Sequence, residues 1–437
     1  MLFFEKSIGG FPEMKVAGII AEYNPLHNGH QYQIDSLRRQ TGADYIIVAM
    51  SGDFLQRGVP ALLDKYERTQ MALHAGADLV LELPAIWATS SAEFFASAGV
   101  QLLGQTGVVD FLCYGCEENE PALMQALVSK LIEEPEDYTQ LLSAGISAGE
   151  SYPVARAKAL CGLFDNFSPD QIHKFLSSPN NILALEYEKA IALWNAAGHR
   201  PLSSHPILRV GSGYHSTTLD SAYASATAIR HVLAQTDSSD FQTRLSGKVP
   251  DFTLSALNKA RKANLLLYPD AFSSALYTRL WSFREAGYSQ FADCSQSLSN
   301  KIQNQLNHYM SYTQFAELLK SREITYTRVC RALTHILLDI RKKDCRTVSK
   351  DSRIPYLRIL GFRQDAANLL SIIKKEASVP LVTKVADASH QLNPNAMQIL
   401  THDIRTADLY RSIAEMQSHK KLPNEYTQGL SILRMPS

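Results

Sequence analysis

The stretch Lys15-Val16-Ala17-Gly18-Ile19-Ile20-Ala21 runs directly into Glu22-Tyr23-Asn24-Pro25-Leu26-His27-Asn28-Gly29-His30. After the leading lysine the first run is wholly apolar, the pattern of a strand covered on both faces. The Asn/Pro/Gly-rich run that follows ends it, and helical spacing takes over from about His30 to Thr41. Each residue of the turn has a physical use. Pro25 fixes φ. Gly29, without a side chain, lets a phosphate approach the backbone. The helix start offers unpaired N–H groups and a positive dipole end to an anion. His27 and His30 are hydrogen-bond donors for phosphate oxygens, suited to charge that builds on an α-phosphorus and on leaving pyrophosphate. The alternative is two loop histidines that only cap the helix; the position between strand and helix favours the chemical reading.

Outward from this point the alternation repeats. Asp44 to Met50 (DYIIVAM), Asp78 to Leu83 (DLVLEL) and Val108 to Tyr114 (VVDFLCY) read as strands, with helices over roughly Asp64 to Ala75 and Ser90 to Thr106. This spacing predicts an α/β fold, a Rossmann-like parallel sheet built of βαβ units with right-handed crossovers. Ligands of such sheets bind at the carboxyl ends of the strands, so the loops after Ala21, Met50, Leu83 and Tyr114 are expected to share one cleft. Pro121 to Leu202 is mostly helical, and a further strand is expected at Ile207 to Val210. The division expected is a catalytic domain over 14–235, a mainly helical region over 250–345, and a small mixed C-terminal region over 353–437 with a strand at Pro380 to Lys384.

The bulk numbers are those of an ordinary globular chain. Hydrophobic residues make up 45%, and 43 basic residues balance 43 acidic ones, so net charge points to no partner; nucleic acid needs only a local basic face. The six cysteines are few and scattered, which fits free thiols in a reducing, cytoplasmic setting. Cys113 and Cys116 form a CxxC without a second pair, and a buried strand ending at Cys113 with a turn starting at Gly115 reads better than a metal site. No run is long and apolar enough for a membrane span, and no protein partner and no bound metal are indicated. Met1 to Glu13 resembles no signal peptide and is left out of the fold argument.

Other positions carry two readings. Asp53 and Arg57 follow the second strand; Arg57 suits acetate or phosphate, and Asp53 either orders a neighbouring group or is a turn residue. Lys65 and Arg68, a turn apart, face either phosphate or RNA, or solvent. Glu82 reads better as a paired structural carboxylate. Trp87, Phe94, Tyr309, Tyr312 and Phe315 read as core. Asn180 and Asn181 after Pro179 either cap a helix or touch a ligand. Arg209 is either a phosphate-binding cation or a surface ion-pair partner. Ser225, Thr227 and Arg230 gather hydroxyls, N–H groups and a guanidinium at a helix start. For RNA the candidates are Lys259, Arg261 and Lys262, then Arg341, Lys342 and Lys343, with His419, Lys420 and Lys421 near the end; such triplets are also common on solvated faces.

YNPLHNGH resembles the signature of the HxGH nucleotidyltransferases. AEYNPLHNGH with MSGDFLQRG (50–58), DLVLELP (78–84), PNNILALEY (179–187), SGYHS (212–216) and SATAIR (225–230) is similar to the bacterial tRNA(Met) cytidine acetate ligase family. That resemblance implies an enzyme that uses ATP, with Mg²⁺ accompanying it, and acetate to form acetyl-adenylate and pyrophosphate, and then acetylates N4 of the wobble cytidine of elongator tRNA(Met). It implies an ATP loop of Ile20, Ala21, Glu22, Tyr23, Asn24, Pro25, Leu26, His27, Asn28, Gly29 and His30, running on to Gln33. It also implies ATP contacts at Gly115, Asn181 and Arg209, and a grip on the β- and γ-phosphates by Ser225, Thr227 and Arg230. Two other functions compete: an adenylyltransferase for a phosphorylated metabolite, and a non-catalytic RNA-binding protein that holds ATP. The roughly 200 residues beyond Arg230 weigh against the first, and the paired imidazoles against the second.

Overall fold

The apolar run after Lys15 forms strand β1 (Val16–Ala21) in the computed structural model, which describes residues 14–209, 223–235, 240–349 and 354–434. Helix α1 (Asn28–Thr41), β2 (Tyr45–Ser51), a hairpin of β3 (Phe54–Leu55) and β4 (Val59–Pro60), α2 (Lys65–His74) and β5 (Leu79–Leu83) follow. Then come α3 (Ala85–Ala88), α4 (Ala92–Gly104) and β6 (Phe111–Cys116). Helices α5 (Pro121–Glu133), α6 (Glu136–Ser147), α7 (Tyr152–Cys161), α8 (Pro169–Ser177) and α9 (Pro179–Ala196) precede β7 (Ser203–Leu208). The helical part holds α10 (Ala226–Gln235), α11 (Asp240–Leu245), α12 (Asp251–Lys262), α13 (Ser273–Ser282), α14 (Gln296–Gln305), α15 (Tyr312–Leu319), α16 (Tyr326–Leu338) and α17 (Lys342–Ser349). The chain ends with β8 (Leu357–Arg363), α18 (Ala367–Glu376), β9 (Leu381–Val382), α19 (Pro394–Ser418) and β10 (Ser431–Leu433).

The main sheet runs β10-β8-β5-β2-β1-β6-β7, with β9 beside β8. The five strands from β5 to β7 are mutually parallel. Side chains alternate between its faces at the strand period of two. Ile47, Ala49, Leu79 and Leu81 point into one core with α4, α9 and α13–α16. Ile46, Val48, Met50 and Val80 point into the other with α1, α2 and α10–α12. That double cover is why the strands read as unbroken apolar runs.

Several expectations shift. The helix expected over Ser90 to Thr106 is α4, and a short helix that was not expected, α3, precedes it. The hydroxyls of Thr89 and Ser90 turn back onto the carbonyls of Ala85 and Ile86, the local competition that ends a helix. The fourth strand lies later than expected and contains Gly115, so no turn begins there. The later strand is Ser203–Leu208 rather than 207–210. The larger shift concerns the C-terminal region: β8 pairs antiparallel with β5, and β10 and β9 pair with β8. The sheet of the N-terminal third is therefore finished by the last 80 or so residues, and one core runs from Val16 to Ala414. No helix among the described residues is long and apolar enough to cross a membrane.

Candidate active site

Strand order reverses beside β1. The chain steps from β1 to β2 and β5 on one side, then returns to lay β6 and β7 on the other. At such a switch point the loops leave in opposite directions and open a crevice at the carboxyl ends. Residues 20–24, His27, His30 and Gln33 from the β1–α1 segment line it. So do Gln56 and Arg57 from the hairpin, Tyr114 and Gly115 of β6, Asn180 and Tyr187 of α9, Arg209, and Ser225, Thr227 and Arg230 at the start of α10.

The HxGH spacing is the spacing of a capping box. His27 is the N-cap of α1, and its Nδ1 accepts from the Gly29 N–H at 3.1 Å. His30 reaches back, its Nδ1 accepting from the His27 N–H at 3.3 Å. Each Nδ1 is thus an acceptor, so each neutral ring carries its proton on Nε2. The rings stack with centroids 3.8 Å apart, and Tyr23 meets His30 edge-on at 5.0 Å. Burial, followed by the charges of Arg209 and Arg230, pushes His27 down to about 3. Burial, followed by His27 and Arg209, holds His30 well below the usual histidine range. The result is a pair of neutral N–H donors held rigidly at a helix N-terminus. Gly29 has a role beyond the one expected: a Cβ there would lie 2.9 Å from His27 Cε1, so its missing side chain makes room for the imidazole itself.

Cations surround the rings. The Arg230 guanidinium donates to the Asn24 carbonyl at 2.6 Å and to Thr227 Oγ1 at 3.2 Å, tying the start of α10 to the loop after β1. Ser225 Oγ accepts from the Ala228 N–H at 3.0 Å and orders the same turn. Asn24 Oδ1 accepts from Leu62 N–H at 2.8 Å, and the Asn24–Pro25 peptide is cis. Gly115 lies against Arg209, whose Cγ would be 3.3 Å from a Cβ at that position. Arg57 lines the cleft and Asp53 does not. Asp53 accepts from the Lys65 N–H at 2.8 Å at the start of α2, and burial pushes its carboxyl up to about 7 against the pull of Lys65 and Arg68. Asn181 neither caps its own helix nor lines the cleft: its Oδ1 accepts from the N–H groups of Glu117 and Glu118, bracing the turn after β6. Asn180 is the asparagine on the cleft wall.

Lys65 and Arg68 face neither solvent nor a ligand; both are buried. Arg68 donates to the carbonyls of Leu63, Glu22, Ser51 and Gly52, stitching the loops after β1 and β2 together. Lys65 bonds Glu82 at 2.7 Å and Glu425 at 2.8 Å, and Arg358 bonds the same two carboxylates. Two cations and two anions balance inside the protein, with Glu82 paired as expected. The partners come from β8 and the C-terminal tail, which the local helical pattern of α2 does not reveal.

The sequence pattern of the family described as HIGH Nucleotidyl Transferase matches residues 14–425. A tRNA(Met) cytidine acetate ligase of Acetivibrio thermocellus is 35% identical over 423 residues, covering 96% of this chain and 100% of that protein. The chain belongs to the tRNA(Met) cytidine acetate ligase family. A Clostridium kluyveri member of the family is 37% identical over 381 residues, covering 85% of this chain and 90% of its own length. Two crystal structures of Thermotoga maritima TmcAL superpose on it, each 28% identical and covering 97% of this chain and 100% of the other. The apo form gives a TM-score of 0.87, and the form bound with alpha-thio ATP 0.85.

Of the basic positions considered for RNA, Arg261 donates to the Leu233 carbonyl and stacks over Phe241, and Arg341 bonds Asp339. Lys259, Lys262, Lys342, Lys343, His419, Lys420 and Lys421 are exposed. Phe94, expected in the core, is 48% exposed, whereas Trp87, Tyr312 and Phe315 are buried. The SGYHS segment shared with the ligase family lies outside the described residues. Gln33, at the end of the expected ATP loop, and Gln56, beside Arg57, line the cleft, as do Phe95 and Tyr187, which were not singled out. Gln33 stands one helical turn after His30, a spacing that marks a shared face; nothing local marks Phe95 or Tyr187.

Proposed function

We propose that this protein activates acetate with ATP, forming acetyl-adenylate and pyrophosphate, and transfers the acetyl group to N4 of the wobble cytidine of elongator tRNA(Met). The observation that carries the chemistry is the pair of imidazoles whose Nδ1 atoms are occupied by backbone N–H groups, leaving two Nε2–H donors at the switch-point cleft. Acetate is ionised at neutral pH, so adenylylation needs placement and charge offset rather than a base. His27 and His30 donate to the α-phosphate oxygens as charge gathers there. Arg209, Arg230, Ser225 and Thr227 hold the β- and γ-phosphates and steady the departing pyrophosphate, while Arg57 receives the carboxylate of acetate. The N–H groups at the start of α1 complete the anion site. Gly115 keeps the β6 side open for the nucleotide. Among the described residues no group of three or more His, Cys, Asp or Glu could hold a metal ion; Mg²⁺ arrives as part of the nucleotide substrate, on its phosphates.

The test uses purified protein, ATP, labelled acetate and elongator tRNA(Met). Acetate-dependent exchange of pyrophosphate into ATP, and acetyl label on the tRNA, are expected, with His30→Ala slowing exchange by about 10²- to 10³-fold. Exchange that requires a phosphorylated metabolite in place of acetate, or ATP binding with no turnover, overturns the proposal.

A further inference from the structure

Acetyl transfer to an exocyclic amine releases a proton, and something must accept it. Most groups on the cleft wall are unable to. His27 and His30 already use Nδ1 as acceptor and present Nε2–H. Arg57, Arg209 and Arg230 are cations. The Tyr23 hydroxyl is held far above its usual range by burial, and the Tyr114 hydroxyl donates to Glu188. Asp53 is turned towards α2. Among the described residues that line the cleft, Glu22 is the one carboxylate. It is held at both ends: its carbonyl accepts from buried Arg68 at 2.8 Å, and its Oε1 accepts from the Gln56 N–H at 2.8 Å. Oε2 accepts no hydrogen bond from the described residues.

We infer that Glu22 is the catalytic proton acceptor of the transfer step, its Oε2 taking the proton from the cytidine amine. This inference rests on the activity proposed above. The N4 lone pair forms a C–N bond to the acetyl carbonyl carbon. The bond from that carbon to the adenylate oxygen breaks, its electron pair leaving on AMP. One N4 proton passes to Glu22 Oε2 and from there to water. Adenylylation of acetate releases no proton and makes no such demand, so the two half-reactions depend on Glu22 unequally. A residue that merely held the nucleotide would affect both alike.

The experiment uses the full chain in single turnover: acetyl-adenylate is formed on the enzyme from ATP and labelled acetate, elongator tRNA(Met) transcript is added, and label on RNA is followed in time. Glu22→Gln is expected to slow transfer by about 100-fold or more, the range of general-base removal, with pyrophosphate exchange falling by less than about tenfold. Glu22→Asp, which keeps a carboxylate, should transfer faster than Glu22→Gln. Equal loss of both half-reactions in Glu22→Gln, or transfer by Glu22→Asp no faster than by Glu22→Gln, overturns the inference. Wild-type protein that forms no acetyl-adenylate would instead sink the proposed activity, a result separable from any effect of Glu22.

Discussion

The two histidines are legible in sequence, their tautomers only in structure. HxGH between strand and helix pointed to phosphate chemistry, but that each Nδ1 is taken by a backbone N–H follows from capping geometry. Because both rings are held neutral, the adenylylation rate at saturating substrates should stay level within about twofold from about pH 6 to 8, where an ordinary histidine titrates; exchange assays across that range check it. Stability behaves differently. His27, down at about 3 when folded, binds its proton more readily unfolded, so its neutral burial favours folding fully above the ordinary histidine range. That contribution is lost as pH falls towards 3. Thermal melts should therefore drop on acidification, less steeply in His27→Asn. Gly29→Ala places a Cβ against His27 and should cut exchange by about tenfold or more through a displaced donor, with little change in melting temperature because alanine suits the first turn of a helix.

At the scale of elements, the parallel strands and their helices were readable because apolar runs and helical periods are local signals. The role of α2 was not. A helix bearing Lys65 and Arg68 reads as facing phosphate or RNA, or solvent, until β8 and the tail are laid over it. Arg68→Lys keeps the charge but loses the planar fork that reaches several carbonyls. It should destabilise the protein by about 2 kcal/mol and raise KM for ATP, measured by urea unfolding and exchange kinetics. The β3–β4 hairpin is equally constrained: Gly58 has φ +72°, and a Cβ there would lie 2.2 Å from the Arg331 nitrogen at α16. Its carbonyl accepts from the Thr334 hydroxyl at 2.7 Å. Gly58→Ala should cost about 3 kcal/mol through strain and clash, and the shifted hairpin should carry Gln56 and Arg57 with it, so exchange should weaken in the same variant.

For the whole molecule, the order of the central strands and the cleft they form followed from the alternation of the first third, but the completion of the sheet by residues 357–363 and 431–433 did not. β8 pairs with β5 across about 280 positions of sequence, β10 pairs only with β8, and such short strands leave no periodic trace where they dock. The four-charge cluster shows how much depends on that docking. Glu425, held at about 2 by Lys65 and Arg358 despite its burial, stabilises the fold above the ordinary glutamate range, and the contribution is lost as pH falls towards 2. Glu425→Gln should destabilise by about 3 kcal/mol at neutral pH, since it leaves buried positive charge short of a partner; denaturant melts read the change, and high salt should do little to offset it. The same cluster bears on synthesis. A ribosome has exposed the β1 turn, the hairpin and α2 long before it reaches Glu425, and until then Lys65 and Arg358 share only Glu82. From the emergence of Arg358 until Glu425 follows it the nascent chain carries one charge of the cluster unmatched, so α2 is locked against β8 only after every residue that lines the cleft has been made.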